Sequence, residues 1–450
     1  MHDNALAKRF TPASLLRFAA PNIGMMIFLS LYTIVDGIFI SRLVGTLALS
    51  AVNMSYPVTS VQLAVGIMMG TGGSAIIARK LGEGRPVEAR SDFTLLSLLS
   101  ALIGLLFPLF GLPFLRPIMH LLGTSVAQMD DCMIYTRILL LFAPMLFLQT
   151  VFQSYFITAG KPMLGLVVTV LGGVANMVLD YVFMGPLQMG VAGAAIATGI
   201  GYTIPAVVGL VYFTFARKGS LYWTRFHFSL HTVLHTMGNG SSEMVTNIAV
   251  AVTTYLFNLI FLYYWAEDGV AAITIIQYYQ FVFSAAFLGF SMGVAPVISF
   301  KYGANDREQL QKIIRYSLIF VLVCSAGMFA LSKLSIAATL TIFVTADSPV
   351  FDIALDGFQL YAPAFLLMGI SIFASAMFSA FSNGMVSAII SFSRTFLFLV
   401  GLMLFLPAAM GKLGIWLAVP AAELLGVLVS AGFLVWGGSI YGYAPRKHKG

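Results

Sequence analysis

Twelve stretches of this 450-residue chain run for about twenty residues or more with almost no charge, and no other feature constrains the fold as much. A helix rises 1.5 Å per residue, so about 20 apolar residues cross roughly 30 Å of hydrocarbon while pairing every backbone N–H and C=O internally. The stretches are 15–40, 50–77, 93–115, 135–156, 164–183 and 191–215, then 237–265, 270–300, 313–334, 358–381, 388–407 and 415–436. Charged residues make up 9% of the chain and apolar residues 59%. Soluble domains carry about 25% charge, which leaves this chain too few charged side chains to cover a water-exposed globule. The runs are also too long for barrel strands, so the expected fold is an all-α integral membrane protein with twelve transmembrane helices.

The net charge of +7 would suggest nucleic acid as a partner in a soluble chain, but its distribution gives a different reading. With the amino terminus in the cytoplasm, one side collects Lys8, Arg9, Arg17, Arg79, Lys80, Arg85, Arg90, Lys161, Arg217, Lys218 and Arg225. The same side holds Lys301, Arg307, Lys312, Arg315, Arg446, Lys447 and Lys449, while only Arg42, Arg116, Arg137, Lys333 and Lys412 fall opposite. This bias fixes orientation and places both termini in the cytoplasm, so the expected partner is the lipid bilayer and not nucleic acid. The first run passes Asp36 without a small-residue cleavage site and is expected to remain as helix 1. Cys132 and Cys324 have no metal-ligand spacing and are not expected to pair.

The chain also repeats itself. Gly66-Ile-Met-Met-Gly70 recurs as Gly289-Phe-Ser-Met-Gly293, Lys80-Leu-Gly82 as Lys301-Tyr-Gly303, Ala143-Pro144 as Ala362-Pro363, and Gly190-Val-Ala-Gly as Gly414-Ile-Trp-Leu. The offsets are 223, 221, 219 and 224 residues, in the same order along the chain. Six helices per copy start both copies on the same side, so the halves are expected to be two six-helix lobes, 1–225 and 226–450. A pseudo-two-fold axis along the membrane normal would relate them, leaving a cleft suited to alternating access. The glycine pairs read first as small-xxx-small packing faces.

Charge within hydrocarbon costs about 2.5–3.5 kcal/mol, so each buried charge needs a partner, water or a function. Five residues qualify: Asp36, Asp180, Glu243, Arg394 and Glu423. Met25, Leu29, Tyr32 and Asp36 form one stripe of helix 1, and Asn176 stands one turn from Asp180 in the fifth run. An amide oxygen and two carboxylates are hard ligands suited to a proton or sodium ion, although both acids also lie near helix ends and could simply reach the interface. Glu243 near the start of the seventh run suits a helix N-terminus, and Arg394 with Glu423 suits an ion pair; together they are a candidate polar site in the carboxy half. No phosphate-binding glycine loop, zinc spacing or Ser-His-Asp set occurs. The six histidines are expected in tails or loops; His227, His231 and His235 share helical spacing but read as a solvated connector, so neither a metal site nor a cofactor is expected.

The pattern resembles the multidrug and toxic compound extrusion (MATE) family, in its bacterial DinF-like and MepA-like branches. The resemblance covers nearly the whole chain. It rests on the repeat, Pro21 and Asp36 in helix 1, the stretch Gly70-Thr-Gly-Gly-Ser-Ala-Ile-Ile-Ala-Arg-Lys-Leu-Gly82, Ala159-Gly160-Lys161-Pro162, and Asn176 with Asp180. It implies a cation-coupling site of Asp36, Asn176, Asp180, Thr198 and Tyr135, with helix 1 bending near the hinge Pro21. Some relatives pair a helix 7 Glu with a helix 10 Asp; Glu243 matches the first, but 358–381 holds no acid after Tyr361, which argues against a carboxy-lobe cation site. The implied activity is not enzymatic. It is export of amphipathic cationic or neutral organic compounds in exchange for H⁺ or Na⁺, by a monomer in the bacterial inner membrane. Met25, Met26, Tyr32, Met54, Met68, Met69, Tyr278 and Tyr279 are candidate substrate walls, each with helix packing as the plainer reading. A flippase for lipid-linked precursors is the second reading, and a membrane-embedded enzyme the third.

Overall fold

The computed structural model describes residues 5–443, which leaves His2, Arg446, Lys447, His448 and Lys449 outside the described residues. Among the described residues there are no strands, and the helices follow the apolar runs. They are α1 (Pro12–Leu43), α2 (Thr46–Gly82), α3 (Pro86–Leu121), α4 (Val126–Leu141), α5 (Ala143–Thr158), α6 (Pro162–Met184) and α7 (Gly190–Phe215). After them come α8 (Leu230–Ala266), α9 (Asp268–Gly303), α10 (Arg307–Phe343), α11 (Pro349–Tyr361), α12 (Ala364–Ala380), α13 (Gly384–Met410) and α14 (Lys412–Ile440). The pairs α4/α5 and α11/α12 bend by 55° and 54°, and with each pair taken as one bent span the described residues make twelve spans.

The bends fall at Ala143-Pro144 and Ala362-Pro363, one of the repeated motif pairs. Proline lacks the N–H an uninterrupted helix would use, and its ring crowds the carbonyl four residues back. Local chemistry also starts the helices. Thr11 and Ser14 form a reciprocal cap ahead of Pro12, while Ser229, Asp306 and Ser348 accept backbone N–H groups at the starts of α8, α10 and α11.

Most helices outrun their apolar segments by a turn or more, because polar residues beyond the hydrocarbon still continue the helix. Three expectations change as a result. Glu243 lies well inside α8, which begins at Leu230, and so does not cap an N-terminus. His231 and His235 are on α8 with ring centroids 5.8 Å apart, and His120 is in the last turn of α3; His227 precedes α8. The tenth span begins at Pro349 and therefore includes Asp352 and Asp356, both exposed on the half before the bend.

The first six spans pack mainly against one another, as do the last six. The two groups meet through α1 and α2 on one side and α8 and α9 on the other. Their contact is closest at the end carrying the basic loops. There the Asn22 amide donates to the Gly289 carbonyl at 2.6 Å, and a Cβ at Gly289 would lie 2.7 Å from Ile23 Cα. Toward the opposite end the facing helices separate: Leu47 and Tyr56 of α2 and Tyr255 of α8 are 50%, 48% and 64% exposed, whereas Met69 and Ile77 of α2 are fully buried.

Candidate functional site

The five residues expected to couple a cation come together between α1, α4, α6 and α7. Asn176 and Asp180, four apart on α6, turn inward with no exposure, because α6 packs both on α1 and on α7. The side chains of Asp36 and Asp180 are within hydrogen-bonding reach of each other. Asp36 Oδ1 and both carboxylate oxygens of Asp180 are buried with no protein donor. Ionised carboxylates only accept, so the contact becomes favourable when a proton or a small cation lies between them. The Asn176 amide donates to Thr198 Oγ1 at 3.5 Å, which leaves Asn176 Oδ1 as a further buried acceptor without a donor. Tyr135 is buried close to Thr198.

Such a cluster of hard oxygens, largely dehydrated and lacking a resident positive charge, can take up one small cation or proton. Soft metals are disfavoured by the donor set. Tyr202 belongs to the same neighbourhood, close enough to Asp36 to feel its charge, and sequence reasoning missed it. The available signal was spacing: Tyr202 follows Thr198 by one helical turn on α7 and shares its face. Tyr32, a candidate substrate wall, also faces this cluster and stacks on Phe28 at 6.4 Å.

The other wall candidates divide. Met25, Met68 and Met69 are buried in helix packing, with Thr169 Oγ1 donating to Met25 Sδ at 3.3 Å, and Met54 packs beside Leu115 and Met119. Met26 is half-buried on α1. Tyr279 is bound to Thr339 and Ser335 at 2.6 and 2.9 Å, within the second half. Tyr278 alone borders a large cavity, of about 650 Å³, which also touches Tyr255, Asn258 and Thr274 at the separated end of α8 and α9. Pro21 is buried inside an unbroken α1, so helix 1 is not broken there in this structure.

In the second half Arg394 Nε lies 3.1 Å from Glu423 Oε1, the ion pair the opposite charges suggested. Arg394 sits in a π-helical turn, Ser393–Phe398, which interrupts α13. The Glu423 Oε2 atom is buried without a donor, and Glu243 is also within range of the Arg394 charge. Hydroxyls of Ser375, Ser387 and Ser391 link α12 to α13 nearby, at 2.8 Å. The guanidinium therefore supplies a built-in positive charge here, unlike the pair of carboxylates in the first half. Among the described residues no His, Cys, Asp and Glu cluster has the make-up of a metal site, and both cysteines are free.

The fold has known counterparts. The chain is 22% identical over 379 residues to the multidrug export protein MepA of Staphylococcus saprophyticus, covering 82% of each. It superimposes with a TM-score of 0.90 on a multidrug resistance MATE family transporter of the MOP superfamily in an outward-facing conformation, at 22% identity over 97% of each chain. A MATE protein in complex with MaL6 gives 0.91 at 21% identity, over 98% of this chain and 99% of that one. The model of the MatE family matches twice, at residues 21–182 and 243–404, and the offset between the two matches falls within the range read from the repeated motifs. With the same family signature in each six-span half, the chain belongs to the MATE family of membrane transporters.

Proposed function

We propose that this protein exports amphipathic cationic or neutral organic compounds from a bacterial cell in exchange for H⁺ or Na⁺, by alternating access. The observation that carries the reading is the meeting of half-buried Asp36 with fully buried Asp180, Asp36 Oδ1 and both Asp180 oxygens having no protein donor, with Asn176, Thr198 and Tyr135 beside them. The family and the MepA relatives support the export of drugs; the coupling is our reading of the site.

Asp36 lies seven residues before the end of α1, on the side away from the basic loops. If those loops face the cytoplasm, the separated end opens outward, to the inner membrane's outer face, and a cation from outside has the shorter route to the carboxylates. A charge crossing 100 mV gains about 2.3 kcal/mol, sufficient to shift a two-state protein by well over tenfold. Neutralising the acid pair removes the cost of keeping two charges in a low dielectric, and the protein then favours the arrangement that releases substrate and closes outside. The cavity that Tyr278 borders is lined mostly by apolar and aromatic side chains, in keeping with compounds selected by size and hydrophobicity.

Purified protein in liposomes, given a fluorescent lipophilic cation and separately imposed pH and sodium gradients, tests this. Transport should follow one gradient and vanish in Asp36→Asn while that variant inserts and folds normally. Undiminished gradient-driven transport by Asp36→Asn would remove the coupling role. Movement of a lipid-linked substrate without any gradient would favour the flippase reading.

A further inference from the structure

Helix α1 divides its allegiance between the halves. Its later part carries Asp36 against α6 of the first half, but its first turns, through Ile23, lie on α9 of the second, where Asn22 bonds Gly289 and Ala19 packs on Gly293. The segment ahead of α1 continues the same attachment. Leu6 and Phe10 are 0% and 6% exposed, inside the apolar core of the second half, although neither belongs to a membrane span. The Phe10 N–H donates to Gln309 Oε1 at 2.8 Å, and Lys301, itself 3% exposed, donates from Nζ to the Ala7 carbonyl at 3.0 Å and to Asp306 at 3.3 Å. On its other face Ala5 packs on Gly160 of the first half, where a Cβ would lie 2.8 Å away.

We propose that residues 5–11 are a strap that fastens the two halves at the basic end, with Lys301 and Gln309 as the positioning residues of the second half that hold it. A buried ammonium needs acceptors, and one of the two that Lys301 has is a strap carbonyl. Lifting the strap would expose Leu6 and Phe10 and leave Lys301 with Asp306 alone. Opening at this end therefore requires these bonds to break together, and the strap sets how often it happens. Because the strap runs directly into α1, its release also frees the part of α1 that precedes Pro21. The inference rests on the alternating-access reading only in that this end must open during the cycle.

The test needs no substrate. In full-length protein with Cys132 and Cys324 replaced by alanine, Ala75→Cys places one thiol in the small cavity between the halves that Glu243, Met292 and Ala295 also line. A membrane-impermeant maleimide is applied from the basic end, in vesicles of that orientation. The double variant Lys301→Met/Gln309→Leu should be labelled about tenfold faster, in line with the loss of two hydrogen bonds, and Lys301→Arg should stay near the parent rate. Leu6→Asp, which alters no membrane span, should accelerate labelling in the same way and serves if the double variant is poorly folded. Unchanged labelling in Leu6→Asp, or in a folded double variant, overturns the strap. Faster labelling in a protein that shows no ion-coupled transport would support the strap while overturning the antiport reading.

Discussion

Two buried charge clusters of opposite design sit in the two halves, and the difference is set by single residues. In the first half the acids face each other with Asn176 and Thr198 beside them and no cation of the chain's own. Thr198 fixes Asn176, so Thr198→Val should leave the fold intact and weaken the apparent affinity for the coupling ion by about tenfold to a hundredfold, as loss of an orienting partner does in ion sites. The measurement is the ion concentration giving half-maximal transport; an unchanged value would show that Asn176 is held by other means. In the second half Arg394 already fills the role of the cation for Glu423. Arg394→Met strands a buried carboxylate and should destabilise the protein by about 3–5 kcal/mol, whereas Arg394→Met/Glu423→Gln should recover most of the loss. Thermal unfolding of the solubilised variants decides, and equal losses in the two would mean that the pair does not act as one unit.

At the scale of elements, the helices were legible because twenty apolar residues have few alternatives in a bilayer, whereas the bends at Pro144 and Pro363 were not read from the repeated Ala-Pro motif, which served only to align the two halves. Helix ends were less legible, since hydropathy stops at the hydrocarbon boundary and the backbone does not. Hence α11 starts at Pro349, nine residues before the apolar run, and Glu243 moved from a helix end to a helix interior. The site's acids could be read because charge in an apolar run is rare. Tyr202 could not, because an aromatic residue in a membrane helix is ordinary. The π-helical turn at Arg394 has no sequence signal that periodicity can detect. The repeated glycines carry different loads: Gly66 and Gly70 let α2 approach α5 within the first half, while Gly289 and Gly293 let α1 approach α9 across the halves. Gly289→Leu should therefore push α1 from α9, with overpacking of about 1–3 kcal/mol directed at the closed state. Spin labels on α1 and α9 near the basic end should report a longer mean distance; an unaltered distribution would show that α9 yields locally instead.

For the whole molecule, the direction of transport depends on which face the closed end occupies. The halves pack tightly at the basic end and separate at the other, so orientation converts this one structure into either an outward-open or an inward-open state. The strong excess of Lys and Arg in alternate loops argues for a cytoplasmic basic end, and because the bias is spread over many loops no single neutralisation should reverse it. Two exposed positions lie on opposite ends: Leu187 in the turn between α6 and α7, and Lys218 in the connector between α7 and α8. In cells expressing the cysteine-free protein, Leu187→Cys should react with an impermeant maleimide from outside, and Lys218→Cys only after the membrane is permeabilised. The reverse pattern would put the separated end in the cytoplasm. The acid pair would then lie nearer the cytoplasmic solution, and an inward ion gradient acting on the same carboxylates would have to enter through the closed end, which contradicts export by this route whatever the fate of the individual site residues.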